Sequence, residues 1–147
     1  LLAVEENSRK GTQMAAILMD LDHFKTFNDR FGHEIGDDIL TNFSKMVLNI
    51  TRKNDKFFRY GGEEFLMLVK NSSLEEAKAI AEKIRIVSEH SGFCESDTVT
   101  VSLGVAMLQT GETSEQWVSR ADKAMYRSKA LGRNQVSTFT EELNVTL

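Results

Sequence analysis

With 147 residues, 41% hydrophobic and 27% charged, the chain is long enough for one soluble domain with a buried core. A net charge of −4, with the basic residues scattered, gives no footprint for nucleic acid or an acidic membrane surface, and no apolar run is long enough to span a bilayer. A single cysteine, Cys94, excludes an internal disulfide and points to a reducing compartment; there is no secretory signal pattern and no proline.

In chain order, residues 1–11 read as a helix ended by Gly11. Met14 to Leu21 is almost wholly apolar with polar flanks, which predicts a buried strand ending near Asp20. Asp22 is placed to N-cap a short helix from His23 to Phe31, closed by Gly32. The free N–H groups at its start are a ready phosphate site. Ile35, Ile39, Leu40, Phe43, Met46, Val47 and Ile50 recur at helical spacing and predict a long amphipathic helix. The polar run Arg52-Lys53-Asn54-Asp55 leads to Phe57, Phe58 and Tyr60, then Gly61-Gly62, then Phe65, Met67 and Val69. These are two strands joined as a hairpin, with the glycines predicting a tight primed turn at φ > 0 and Glu63 and Glu64 at or beside its tip.

Ser73 and Glu76 form a capping box before a helix with Leu74, Ala77, Ala81 and Ile84 on one stripe. His90 to Ser96 is a loop. Thr98 to Leu108 alternates strictly: Val99, Val101, Leu103, Val105 and Met107 on one side, Thr98, Thr100, Ser102, Gly104 and Ala106 on the other. That pattern predicts a strand with one face in the core. Thr113 and Gln116 suggest a second capping box, before a helix carrying Trp117, Val118, Ala121, Ala124 and Met125. Gly132 ends that helix, and Gln135 to Phe139 reads as a last strand. The order α-β-α-α-β-β-α-β-α-β, without repeats or linkers, predicts an α/β (α+β) fold with a central mixed sheet and helices packed on it.

If strand 14–21 lies beside hairpin 57–69, then Asp20, Asp22, Glu63 and Glu64 converge at one end of the sheet. Like charges about 4 Å apart repel by roughly 4 kcal/mol per pair at an effective dielectric of about 20, so the cluster needs cations. Two readings stand on spacing alone. One is a surface charge network satisfied by Lys25 and Arg59. The other is a Mg²⁺ site, which usually takes one or two carboxylates plus substrate phosphates.

Four segments resemble the diguanylate cyclase (GGDEF) family, here as a GGEEF variant. They are Asp20-Leu21-Asp22-His23-Phe24-Lys25-Thr26-Phe27-Asn28-Asp29, Phe31-Gly32-His33-Glu34-Ile35-Gly36-Asp37, Arg59-Tyr60-Gly61-Gly62-Glu63-Glu64-Phe65, and the run from Ala121 to Asn134. The resemblance covers nearly the whole chain in the family's order. It implies a fold like the palm of nucleotide polymerases and class III nucleotide cyclases, and condensation of two GTP into cyclic di-GMP with release of two pyrophosphates. By position, Asp20, the backbone carbonyl of Leu21 and Glu63 would hold Mg²⁺, two ions per active site, with Mn²⁺ as a substitute. Glu63 would take the 3′-hydroxyl proton, with Glu64 beside it. His23, Phe24 and Lys25 at the helix start would cradle phosphates, and Lys25 would stabilise the transition state.

Lys129 and Arg133, read as one helical turn apart, would both reach the triphosphate; without the resemblance they read as a basic helix end. Guanine recognition would fall to Asn28 and Asp37, with His33 nearby. A carboxylate accepts from guanine N1 and N2, an amide donates to guanine's acceptors, and adenine would leave Asp37 unpaired. The alternatives are a helix C-terminal cap for Asn28 and an exposed first-turn acid for Asp37. Aspartate rather than serine at position 37 implies GTP and cyclic di-GMP rather than mixed dinucleotides. Arg52 and Asp55, in an Arg-x-x-Asp pattern separated by five residues from Gly61, would form a product-inhibition site, Arg52 on guanine and phosphate and Asp55 on a guanine edge.

The family's opening segment, with Asp-x-Leu-Thr and Asn-Arg-Arg, is not matched, and the chain begins at Leu1 rather than methionine. Residues 1–147 are therefore expected to be a single domain of the family, lacking that segment and any regulatory domain. Each domain would hold one GTP, so the expected partner is a second copy in a homodimer, with no nucleic acid and no direct membrane contact. The expected location is cytoplasmic, even where the full-length protein is membrane-anchored. Two other functions stay open: a catalytically silent module sensing GTP or cyclic di-GMP, and an unrelated α/β interaction domain.

Overall fold

The computed structural model describes residues 13–94 and 97–140, and the helix expected over residues 1–11 lies outside them. Strand β1 (Met14–Leu21) is buried along its whole length. It is the middle of a five-stranded sheet ordered β2-β3-β1-β4-β5, with β2 (Lys56–Arg59), β3 (Glu64–Lys70), β4 (Val101–Met107) and β5 (Val136–Thr138). β1 runs antiparallel to β3 and β4, and β4 runs parallel to β5. Four helices complete the expected mixed architecture: α1 (Phe24–Phe31), α2 (His33–Ile50), α3 (Leu74–Glu89) and α4 (Ser114–Ala130). Among the described residues no helix is long and apolar enough to cross a membrane.

The continuous apolar run of β1 is explained by helices on both faces of the sheet. Ala15, Ile17, Met19 and Leu21 join one core with Ile39, Phe43 and Val47 of α2 and Ala77, Ala81 and Ile84 of α3. Met14, Ala16 and Leu18 join a second core with Trp117, Ala121 and Met125 of α4. Side chains alternate along a strand, so Asp20 continues the second series and emerges on the α4 face. That parity decides its partner.

β4 departs from the expected single core face. Ser102, Gly104 and Ala106, on the side read as outward, are fully buried beneath α4. Small residues there let a helix backbone lie directly on the strand. A Cβ on Gly104 would sit 2.2 Å from both the Ala121 carbonyl oxygen and the Met125 nitrogen, an overlap with main chain that costs about 1–3 kcal/mol or more. Trp117 Nε1 donates to the Ala106 carbonyl at 2.8 Å and Ser128 Oγ to the Leu103 carbonyl at 2.7 Å, which seats both ends of α4 on β4. Both predicted capping boxes are present, Ser73–Glu76 at α3 and Thr113–Gln116 at α4.

The hairpin forms as predicted, with Phe58 opposite Leu66 and Arg59 opposite Phe65, but its turn is not a tight primed one. Neither Gly61 nor Gly62 has positive φ. The loop is wider, closed by the N–H groups of Tyr60 and Gly61 donating to the Glu64 carbonyl at 2.8 and 3.2 Å. The added residues relieve the backbone of the left-handed conformation that a two-residue turn imposes. A Cβ at Gly62 would meet nothing within 4 Å, so the loop leaves open space above itself.

Candidate active site

Register brings the acidic residues together. Asp20 lies directly opposite Glu64 across the β1–β3 pair, and the Leu21 N–H donates to the Glu63 carbonyl at 3.2 Å. Asp20 is only 6% exposed. Its Oδ2 accepts from Lys129 Nζ of α4, while its Oδ1 is buried without a partner. Burial pushes the Asp20 carboxyl up to about 6; the Lys129 ammonium opposes this, and Glu63 and Glu64 add to it. Glu64 is also raised, first by burial and then by Asp122. The cation inside the cluster is thus Lys129, not Lys25 or Arg59 as spacing suggested. Lys25 is exposed on α1, and Arg59 folds onto the hairpin tip, with Nε 3.1 and 2.9 Å from the Gly61 and Gly62 carbonyl oxygens.

Asp22 leaves the cluster and caps nothing. The N-cap of α1 is His23, at φ 57 and without a side-chain cap bond. The Asp22 carboxylate accepts instead from Thr100 Oγ1 at 2.8 Å, Ser102 Oγ at 2.6 Å and the Asn134 N–H at 3.0 Å. These donors satisfy a carboxylate that is 3% exposed.

The oxygen donors at the strand end suit a hard divalent cation. Two carboxylates, Asp20 and Glu63, stand beside the Leu21 peptide, and one buried Asp20 oxygen lacks a partner. Among the described residues no three Asp, Glu, His or Cys side chains are grouped as a metal cluster. A cation here would leave most coordination positions to water or phosphate oxygens, as Mg²⁺ usually does. Next to this end lies the start of α1. The Phe24 side chain is buried in the core, so only its backbone can face a ligand.

Lys129 and Arg133 are not one helical turn apart, because α4 ends between them. The Gly32 stop of α1 recurs here in another form: Gly132, at φ 124, donates to the Lys129 carbonyl at 3.3 Å, and the Arg133 N–H donates to the Ser128 carbonyl at 2.9 Å. This is a Schellman motif. Arg133 and Asn134 follow with φ of 64 and 48. Asn134 holds that turn: besides its N–H bond to Asp22, its Nδ2 donates to Glu89 Oε2 at 2.8 Å and its Oδ1 accepts from Arg85 at 3.1 Å. Sequence reasoning gave Asn134 no role. Its position just beyond a helix-ending Gly was the available signal, since Asn tolerates the left-handed conformation.

Asn28 on α1 faces the start of α2. It does not use its side chain as a helix cap; the Gly32 N–H bonds its backbone carbonyl at 2.8 Å. Its Oδ1 is buried without a partner. Asp37 and His33 are exposed on α2, Asp37 immediately after Gly36, which packs against Asn28. Arg52 and Asp55 form an ion pair away from this cluster. Arg52 Nε donates to Asp55 Oδ2 at 2.9 Å, and Nη2 to Asp55 Oδ1 at 3.2 Å, the Lys70 carbonyl at 3.0 Å and Ser72 Oγ at 2.7 Å. The Asp55 side chain is 2% exposed and that of Arg52 47%, so Arg52 is the accessible half of the pair.

Residues 2–135 match the protein family described as diguanylate cyclase, GGDEF domain. The chain is 37% identical to diguanylate cyclase A of Treponema denticola over 147 residues, covering 97% of this chain and 40% of that protein. It is 42% identical over 132 residues to the response regulator PleD of Caulobacter vibrioides, covering 86% of this chain and 29% of that protein. The solved GGDEF domain of DgcB from Caulobacter crescentus, in complex with c-di-GMP, matches with a TM-score of 0.89 and 32% identity, over 93% of this chain and 84% of that one. The chain spans less than half the length of these two curated relatives.

Proposed function

From the premise that the chain belongs to the GGDEF diguanylate cyclase family, we propose that it condenses two GTP into cyclic di-GMP with release of two pyrophosphates. The observation that carries this reading is the buried, unpartnered Asp20 Oδ1 at the end of β1, where Glu63 and Glu64 of the hairpin and Lys129 of α4 come together. In this reading Asp20, the Leu21 carbonyl and Glu63 hold Mg²⁺ or Mn²⁺, two ions per site, which supplies Lewis-acid stabilisation of charge at the α-phosphate. Glu63 accepts the 3′-hydroxyl proton, and Glu64, raised by burial, is the neighbouring carboxylate that keeps proton affinity near the site. The first turn of α1, through the backbone at His23 and Phe24, binds phosphate oxygens, and Lys25 balances charge that grows in the transition state. Lys129, 30% exposed, divides its ammonium between Asp20 and the triphosphate, with Arg133 as a second cation. Asn28 and Asp37 read guanine, His33 beside them.

Each domain binds one GTP, so the reaction partner is a second copy and the working form is a homodimer. GTP supply makes the cytoplasm its location. The whole of residues 1–147 is read as one such domain. To test the reading, the chain is fused to a parallel dimeric coiled coil, GTP and Mg²⁺ are added, and the nucleotides are separated. Cyclic di-GMP is the expected product. GTP bound but unconsumed would instead favour a sensing module, and failure to bind either nucleotide an interaction domain.

The same reading assigns product inhibition to Arg52 and Asp55. Arg52 is the informative position, since Asp55 is buried under it and bonded to the Lys70 N–H at 3.3 Å. Arg52→Ala is expected to weaken cyclic di-GMP binding about 10²-fold while initial turnover holds. Calorimetric titration of the product checks this, and an unchanged affinity removes Arg52 from the inhibitory site.

A further inference from the structure

The contact between α1 and α2 holds a second unpartnered buried oxygen, and a glycine makes room for it. Asn28 Oδ1 rests where a side chain at position 36 would begin: a Cβ on Gly36 would lie 1.8 Å from that oxygen, 2.9 Å from Asn28 Cγ and 3.3 Å from Phe24 Cζ. Gly36 is itself buried inside α2 and its φ is not positive, so neither backbone strain nor a turn calls for glycine there. Inside a helix glycine is a poor choice on propensity. What the missing Cβ provides is a seat for one end of the Asn28 amide.

We infer that Gly36 is a positioning residue for nucleotide-base selectivity, acting through Asn28. This rests on the reading above that Asn28 meets the guanine base. A primary amide has an acceptor end and a donor end. With Oδ1 seated against Gly36, the donor end, Nδ2, is the one left to meet a base. A donor suits the keto oxygen of guanine, and the six-amino group that adenine carries at the same place opposes it. Asp37, the next residue after Gly36, supplies the complementary acceptor for guanine N1 and N2. The seat thus sets both the direction of the amide and its placement beside Asp37. Filling it turns the amide out, because the obstructing atom is a movable side-chain tip rather than main chain. The fold then loses little, and gains a better helix former at position 36.

The test is a binding cycle on the dimer-fused chain at fixed Mg²⁺ with the 3′-deoxy forms of GTP and ATP as probes, which lack the attacking hydroxyl and are not consumed, using wild type, Gly36→Ala, Asn28→Ala and the double variant. Gly36→Ala is expected to keep or raise the melting temperature, to weaken GTP binding about 10-fold or more, and to leave ATP binding within a few-fold. In the Asn28→Ala background, where the seat is empty and alanine at 36 fits, the second substitution is expected to add nothing. A purely structural role for Gly36 would weaken both nucleotides together and persist in the double variant, which overturns the inference. A wild type selective for GTP whose Gly36→Ala variant is equally selective also overturns it, alone. A wild type that binds GTP no better than ATP overturns the guanine reading first, and the inference with it.

Discussion

Replacing Glu63 with alanine is expected to lower the rate of cyclic di-GMP formation from GTP by about 10²–10⁴-fold, the range for loss of a positioned proton acceptor, and to leave the fold in place. Position 63 allows this separation. The fold uses the Glu63 backbone carbonyl, which accepts the Leu21 N–H at 3.2 Å, and alanine keeps that bond. The side chain contributes negative charge beside Asp20, whose carboxyl it helps to raise. Its removal relieves repulsion, so the melting temperature stays level or rises slightly. Glu64→Ala is the control. Glu64 faces Asp20 in register and is raised by its own burial, so a rate loss confined to Glu64→Ala, with Glu63→Ala fully active, would transfer the proton-accepting role to Glu64. Wild-type activity in both variants would leave the hairpin acids without a part in catalysis and would sink the mechanism.

The local patterns in the chain were readable because their partners lie within a few residues. Ser73 and Glu76, Thr113 and Gln116, the Gly32 stop and the apolar run of β1 all formed as predicted. So did the strand pairing of the hairpin that carries Glu63 and Glu64, though not its tight turn. What spacing could not reveal depends on register. Asp22 has the local signature of an N-cap, yet its hydroxyl donors sit 78 and 80 residues away, Thr100 just before β4 and Ser102 within it. Asp20 takes its cation from Lys129, 109 residues on, because strand parity turns it toward α4. Lys25 and Arg59, nearer in sequence to the acids, go elsewhere. The small-residue side of β4 looked like a solvent face because Ser, Gly and Ala fit both an exposed strand face and a helix backbone pressed against it. Only the packing of Ala121 and Met125 on Gly104 separates the two. Gly36 lies within a family segment, but the need for a missing Cβ there is visible only once Asn28 Oδ1 is placed beside it.

Asp20→Asn is expected to abolish turnover and, in metal-free buffer at neutral pH, to make the domain more stable. Both effects follow from one buried carboxylate. Burial raises Asp20 from the ordinary 3.8 to about 6, against the pull of Lys129. Between those values the folded chain keeps a proton that the unfolded chain has released. The contribution of Asp20 to stability is therefore full below about 3.8 and is lost as pH rises through about 6. Asparagine matches the shape and carries no charge, so this loss disappears and the variant's melting temperature falls less between pH 4 and pH 7 than that of the wild type. Lys129 is not stranded by the change, because it is 30% exposed and also interacts with Glu64. Added Mg²⁺ reverses the order of the two proteins: it stabilises the wild type by binding the folded state and leaves Asp20→Asn nearly unmoved. Melting curves at pH 4, 5, 6 and 7, with and without Mg²⁺, read all of this from the same samples. If the variant were less stable than the wild type at pH 7 without metal, the Asp20–Lys129 pair would be a net structural support, and the strain assigned here to the ionised carboxylate would be wrong. If Mg²⁺ stabilised both proteins equally, the cation would bind elsewhere, and the donor set of Asp20, Leu21 and Glu63 would have to be abandoned.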